Sequence, residues 1–192
     1  MNPNAPLFNI ANVLTIGRII LVPIFIWCYL HGSVGYQVAA TIIFFIAGAT
    51  DQLDGYLARR HRLVTNFGKI ADPIADKALV LSAMILVSAA GLLPWWVTIV
   101  IIVRELGITA LRFVMIRKEV IAASKGGKLK TVLQMLGVFM LLIPWAGLVS
   151  SSTAHVAEAI GWWIMMAALV VTVVTGLDYC LQAVKVARND QR

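Results

Sequence analysis

Residues 41–90 read TIIFFIAGATDQLDGYLARRHRLVTNFGKIADPIADKALVLSAMILVSAA. Two apolar runs form the ends of this stretch, and a polar, charged segment joins them. Four aspartates lie where the apolar runs meet that segment: Asp51, Asp54, Asp72 and Asp76. The pattern predicts two helices that enter an apolar environment and carry carboxylates near the ends that the polar segment joins.

The same alternation of apolar runs and short polar connections continues through the 192 residues, of which 60% are hydrophobic and 13% charged. Soluble domains are about 25% charged, so the composition predicts one integral membrane domain over residues 1–192. A spanning helix needs about 20 mostly apolar residues. On that criterion we predict an all-α protein with six transmembrane helices, at 10–30, 35–58, 71–90, 94–116, 130–149 and 158–184.

Lysine and arginine are distributed unevenly among the connections. Residues 31–34, 91–93 and 150–157 contain neither, whereas 59–70, 117–129 and the C-terminal tail are rich in both. Because positive residues favour the cytoplasmic side, we predict that both termini are cytoplasmic. This arrangement accounts for the net charge of +7 without a nucleic-acid partner. Gly126 and Gly127 predict a flexible turn within the second basic connection.

The four aspartates are the main functional signal, because ionisable residues in spanning helices are costly and mark a site or a specific ion pair. Asp51 and Asp54 are three residues apart and Asp72 and Asp76 are four apart, so each pair lies on one helix face. Across a short connection the pairs can converge, and two divalent cations would balance their four charges. Carboxylate oxygens favour Mg²⁺ or Mn²⁺ over zinc, and two such cations suit displacement at phosphorus.

Small residues that would leave room for a ligand accompany the aspartates: Gly55, Ala58 and Gly68. The alternative is structural, with the small residues allowing close helix packing and the aspartates forming ion pairs with Arg59, Arg60 and Lys77. We favour the metal site, because one ion pair would explain one aspartate and not four at helical spacing.

The segment Asp51-x2-Asp54-Gly55-x2-Ala58-Arg59-x8-Gly68-x3-Asp72-x3-Asp76 closely resembles the signature of the CDP-alcohol phosphotransferase family. The match covers 26 residues, is complete at eight specified positions, and agrees with the family's six-span layout. The resemblance implies that the four aspartates hold the two cations and that Asp76 is also the general base. It implies a CDP-binding site made of Asp51, Asp54, Gly55, Ala58, Arg59, Gly68 and Asp72.

The resemblance also implies the reaction, in which the phosphatidyl group of CDP-diacylglycerol passes to an alcohol and CMP is released. Asp76 would take the proton of the acceptor hydroxyl, which would attack the phosphorus attached to diacylglycerol without a covalent enzyme intermediate. A cytoplasm-facing active-site cavity would let the nucleotide reach water while the acyl chains stay in lipid. The family is further expected to form a homodimer.

We expect glycerol 3-phosphate as the acceptor, with inositol phosphate and serine as alternatives. The opening Asn12-x2-Thr15-x2-Arg18 and the stretch 124–131 with Gln134 look like those of bacterial phosphatidylglycerophosphate synthases, a branch of the family. Cationic residues expected at the acceptor phosphate are Arg18, Arg112, Lys125, Lys128 and Lys130. For the last four, a solvated charge on the cytoplasmic side is an equal alternative, and for Arg18 a pocket-facing role is favoured over snorkelling.

Arg104 is expected near the bilayer midplane, where we predict a structural pair of Arg104 with Asp178 or of Glu105 with another helix. Two other classes of protein remain as alternatives to an enzyme. A cation transporter needs acidic residues along a path through the membrane, yet only Glu105 and Asp178 lie well inside the spans away from the aspartate cluster. A scaffold for anionic lipids would explain the basic charge but not the spacing of the aspartates.

Overall fold

The structure is a computed structural model that describes the backbone of residues 10–61, 66–115 and 125–189, and the side chains of 13–50, 74–75, 77–111 and 127–182. Every element within those backbone ranges is a helix, which confirms the all-α prediction. The helices are α1 (Ile10–Leu30), α2 (Val34–His61), α3 (Asn66–Ala89), α4 (Trp95–Met115), α5 (Lys125–Leu142), α6 (Trp145–Leu148) and α7 (Ser151–Asn189).

Two of the described helical segments, Val13–Leu30 in α1 and Ser151–Gln182 in α7, are long and apolar enough to cross a membrane. Val34–Thr50 of α2 and Lys77–Ala89 of α3 are shorter apolar segments. Together they favour association with a membrane. The six long helices overlap the six predicted spans one by one, although several boundaries differ.

The predicted turn at Gly126 and Gly127 is wrong, because both residues belong to the first turn of α5, which begins at Lys125. Glycine lowers helix stability by about 1 kcal/mol relative to alanine without preventing a helix that is held by packing. The fifth span also ends earlier than predicted. Pro144 has no backbone N–H and cannot continue the helical hydrogen bonds, so α5 ends at Leu142 and the short α6 follows.

The last helix begins at Ser151 rather than near residue 158, and it runs for 39 residues. Its first two turns are polar, with the Ser150 hydroxyl 2.9 Å from that of Thr153 and an exposed His155–Glu158 contact of 3.8 Å. Hydropathy marks the apolar part of a helix and not its end, because a helix can continue from lipid into water. The predicted connection at 150–157 is therefore almost entirely helical.

One tight turn joins α1 to α2, and another joins α3 to α4. Gly32 between α1 and α2 has φ of 81° and Gly91 between α3 and α4 has φ of 78°. This left-handed conformation is readily available to glycine. The turns make α1 with α2, and α3 with α4, antiparallel neighbours.

The helices pack around two centres. Helix α1 contacts α2 and α3, with the rings of Phe25 and Phe44 5.9 Å apart. Helix α5 lies closely against α7, and a Cβ on Gly137 would come within 2.8 Å of Met165. The absence of a side chain at Gly137 therefore sets the closeness of these two helices. Helix α7 also contacts α4, and α3 contacts α5, so α3, α4, α5 and α7 surround a common space.

Candidate active site

The backbone places the four signature aspartates at matching levels of two neighbouring helices. Asp54 lies seven residues before the end of α2 and Asp72 lies six residues after the start of α3. Asp51 and Asp76 are each ten residues from those same helix ends. At about 1.5 Å per residue, one pair lies about 10 Å and the other about 15 Å from the joined ends. Helices α2 and α3 contact each other, so this register can bring the four positions together.

The register and the chemistry of the residues fit a site for two hard cations. All four residues offer carboxylate oxygens, which Mg²⁺ and Mn²⁺ prefer. The side chains of the signature residues lie outside the described residues, as do those of Gly55, Ala58, Arg59 and Gly68. Among the described side chains there is no other cluster of three or more His, Cys, Asp or Glu residues. The assignment of these residues to metal and CDP binding stays a prediction.

A cavity of about 530 Å³ lies between α3, α4, α5 and α7. It is next to the aspartate signature along the chain, because Lys77, which lines it, directly follows Asp76 in α3. Its polar lining comes from all four helices. The charged and amide side chains among the lining residues are Lys77, Arg104, Glu105, Lys128, Lys130 and Gln134.

Glu105 is the centre of the charged part of this cavity. Its Oε1 accepts hydrogen bonds from Lys130 Nζ at 2.5 Å and from Arg104 Nη1 at 3.0 Å, and its Oε2 accepts one from Lys77 Nζ at 3.3 Å. The carboxylate is only 13% exposed. A single acidic side chain therefore contacts cations from α3, α4 and α5. We call Glu105, Lys77, Arg104 and Lys130 the Glu105 cluster.

Arg104 also connects the Glu105 cluster to α7. Its Nε donates to the carbonyl of Thr172 at 3.1 Å, and its Nη2 donates to Thr175 Oγ1 at 2.8 Å. The predicted pair of Arg104 with Asp178 is wrong, because the Asp178 carboxylate accepts instead from Gln182 at 2.8 Å. Arg104 is bound to Thr172 and Thr175 instead, and the side chain of Asp178 is exposed. The alternative prediction, a pair between Glu105 and another helix, is confirmed, because Glu105 pairs with Lys77 of α3 and Lys130 of α5.

The residues predicted to bind the acceptor phosphate are only partly brought together. Lys128 and Lys130 both line the cavity. Lys130 is 7% exposed, so the alternative of a solvated charge is wrong for it, whereas Lys128 is exposed. Arg18 is 1% exposed in α1, which excludes snorkelling, but among the described residues it is not part of the cavity lining. Arg112 lies in α4 and Lys125 begins α5, with side chains outside the described residues.

Sequence reasoning missed two residues of the cavity. Lys77 was expected only as a partner for an aspartate, and its contact with Glu105 joins positions 28 residues apart, which no local pattern predicts. Gln134 is buried, and its Nε2 donates to the weak acceptor Met84 Sδ at 3.2 Å. The available signal for Gln134 is an amide residue in an otherwise apolar stretch of helix.

The described helices thus combine an aspartate register suited to two cations with a neighbouring cationic cavity. A model of the CDP-alcohol phosphatidyltransferase family matches residues 8–174, which include nearly all of the helical bundle. The chain therefore belongs to the CDP-alcohol phosphatidyltransferase family.

The chain is similar to several bacterial proteins over most of its length. The chain is 44% identical over 185 residues to a probable phosphatidylglycerophosphate synthase of Mycobacterium tuberculosis, covering 94% of this chain and 84% of the relative. It is 42% identical over 189 residues to the CDP-diacylglycerol--glycerol-3-phosphate 3-phosphatidyltransferase of Bacillus subtilis, covering 90% and 94%. The protein of the same name from Shigella flexneri is 39% identical over 168 residues, covering 83% and 92%.

Proposed function

We propose that this chain transfers the phosphatidyl group of CDP-diacylglycerol to glycerol 3-phosphate, giving phosphatidylglycerophosphate and CMP in phospholipid biosynthesis. The observation that carries the proposal is the similarity, over nearly the whole length of both chains, to relatives whose names state this reaction. The matched levels of the aspartates in α2 and α3 support it independently.

Asp51, Asp54, Asp72 and Asp76 would hold two divalent cations, Mg²⁺ or Mn²⁺. Cations bound there would stabilise negative charge on the attacking and leaving oxygens of a phosphoryl displacement. The CDP part of the donor would lie against the same aspartates and against the small and cationic residues of the signature, namely Gly55, Ala58, Arg59 and Gly68.

Asp76 would act as the general base and take the proton of the acceptor hydroxyl. The hydroxyl oxygen would form a bond to the phosphorus attached to diacylglycerol, and the bond from that phosphorus to the CMP oxygen would break. CMP would leave, and no covalent intermediate with the protein would form. Asp76 directly precedes Lys77, a residue of the cavity lining, in α3.

The acceptor phosphate would bind in the cavity. Four cationic side chains and one carboxylate line its described part, which leaves a surplus of positive charge for a phosphate monoester. We assign this role to Lys128 and Lys130, and also to Arg112 and Lys125 near the ends of α4 and α5. We also assign Arg18 of α1, a buried arginine, to binding of the acceptor phosphate.

We further propose that six of the helices span the inner membrane of a bacterium, with the termini and the cavity on the cytoplasmic side, and that the protein is a homodimer. Exposed Trp95 and Trp96 at the start of α4 support a membrane interface there, because tryptophan is enriched at such interfaces. The uneven distribution of lysine and arginine supports the orientation.

Purified protein in detergent should release CMP from CDP-diacylglycerol and Mg²⁺ only when glycerol 3-phosphate is added. Inositol phosphate and serine should be offered separately under the same conditions. Release with one of these acceptors and not with glycerol 3-phosphate would overturn the substrate assignment and keep the reaction type. Asp76→Asn should abolish release while the variant still elutes as a monodisperse protein, and an active variant would overturn the assignment of the base.

A further inference from the structure

We propose that Glu105 is a positioning residue, which holds the cations of the cavity in the arrangement that receives the acceptor phosphate. The inference rests on the proposed function. It concerns a residue of α4, a helix that carries none of the signature aspartates. It follows from the contacts of the carboxylate, its burial and the number of charges around it.

The contacts show that both oxygens of Glu105 are engaged by cations. Lys130 and Arg104 share Oε1, and Lys77 contacts Oε2. Arg104 is in turn bound to the backbone and a hydroxyl of α7. Glu105 therefore sets the relative position of cations that come from three different helices, and the contacts with α7 restrain one of them.

The burial makes this arrangement dependent on the carboxylate. The side chains of Lys77, Arg104 and Lys130 are 22%, 17% and 9% exposed, so water screens their mutual repulsion poorly. Without a negative charge between them, the two flexible lysines would move apart or toward water. Glu105 keeps them directed at the same space.

The Glu105 cluster has an excess of positive charge that favours binding of an anion. One carboxylate balances one of three cations, so the Glu105 cluster carries a net charge of +2 when all groups are ionised. An ammonium has three N–H donors and a guanidinium has five. The described contacts of Lys77 and Lys130 with Glu105 use one donor each, and those of Arg104 use three. Donors remain for a phosphate monoester in the cavity that these residues line.

Glu105 would not contact the phosphate, because two anions repel each other. It would act through Lys77, Arg104 and Lys130, and its removal should therefore affect the acceptor more than the donor lipid. This selectivity separates a positioning role from a role in stability alone.

The test compares Glu105→Gln and Glu105→Asp with a matched substitution, Glu158→Gln, which removes a carboxylate from the polar start of α7, outside the cavity lining. Glu105→Gln should raise the KM for glycerol 3-phosphate by about tenfold or more, corresponding to about 1.4 kcal/mol, and leave the KM for CDP-diacylglycerol unchanged. Glu105→Asp should recover part of the loss, and Glu158→Gln should behave like the wild type.

Binding of inorganic phosphate, measured by calorimetry, gives a readout that does not depend on turnover. Glu105→Gln should weaken it by about tenfold. Unchanged or tighter phosphate binding would overturn the positioning role, as would an equal rise of both KM values. If Glu105→Gln does not fold, the same measurements on Glu105→Asp test the positioning role. Absence of CMP release by the wild type with glycerol 3-phosphate would instead refute the proposed function. In that case, the phosphate-binding measurement would still test whether Glu105 positions the cations.

Discussion

Gly176 of α7 lies directly against Arg104 of α4. A Cβ at this position would be 3.1 Å from both Cγ and Nε of Arg104, so a side chain here would require the arginine to shift. Gly176→Val should push Arg104 away from the Thr172 carbonyl and raise the KM for glycerol 3-phosphate by about three- to tenfold. Gly107→Ala, which adds a methyl group in open space, is the control. An unchanged KM in Gly176→Val would show that the position of Arg104 does not matter to the acceptor.

Metal removal should abolish the activity if the aspartate register holds two cations. Purified protein treated with EDTA and dialysed should release no CMP, and Mg²⁺ or Mn²⁺ should restore release. Asp54→Asn should need a higher concentration of Mg²⁺ for half-maximal activity, because one carboxylate fewer remains to bind the cations. Full activity in the presence of EDTA would contradict the metal-dependent mechanism.

Lys130 and Lys128 are two residues apart at the start of α5 but differ in environment. Lys130→Met should raise the KM for glycerol 3-phosphate by about tenfold or more, because the ammonium is buried next to Glu105 and lines the cavity. Lys128→Met should have a smaller effect, since an exposed ammonium interacts with an anion through water. Steady-state kinetics of both variants tests this order, and the reverse order would contradict the proposed phosphate position.

Close packing of α5 on α7 should make Gly137 intolerant even of alanine. A Cβ there would be 2.8 Å from Cγ and Sδ of Met165 and 3.2 Å from its backbone nitrogen. The thioether can move but the backbone cannot, so Gly137→Ala should destabilise the protein by about 1–3 kcal/mol. Thermal unfolding in detergent measures the change. Gly107→Ala in the open part of α4 should have no destabilising effect, and equal midpoints for the two variants would argue against the close contact.

Ser88 near the end of α3 and Thr98 near the start of α4 form a hydrogen bond of 2.6 Å between buried hydroxyls. Ser88→Ala and Thr98→Val should each destabilise the protein, because each leaves a buried hydroxyl without its partner. The double variant should cost about 1 kcal/mol less than the sum of the two single variants. A double-mutant cycle of unfolding free energies measures this coupling, and strict additivity would mean that the hydrogen bond contributes nothing.

The helices were predictable from sequence because apolar runs and basic connections repeat at lengths suited to a bilayer. Their ends were less predictable. The helix at Gly126 and the early start at Ser151 depend on packing and on polar residues that continue a helix into water. Hydropathy reports neither, because it measures only how well a segment suits lipid.

The aspartate signature could be recognised in the sequence because helical spacing puts each pair on one face and because the residues are chemically costly in a membrane, and its role in metal binding stays a prediction. The Glu105 cluster was not, since its contacts join residues 28 and 25 positions apart through tertiary packing. The sequence indicated that Arg104 needs a partner and left open whether Arg104 or Glu105 forms the pair. Asp178 was chosen by its charge, whereas the structure satisfies Arg104 with a carbonyl and a hydroxyl of α7.

The matched levels of Asp51, Asp54, Asp72 and Asp76 have a consequence for length variation in this protein. One residue inserted within α3 between Asn66 and Asp72 would turn both of its aspartates by about 100° about the helix axis and shift them by about 1.5 Å. An insertion within α2 between Asp54 and His61 would likewise turn Asp51 and Asp54 relative to α3. The number of residues within each helix is therefore as much a part of the site as the four carboxylates themselves.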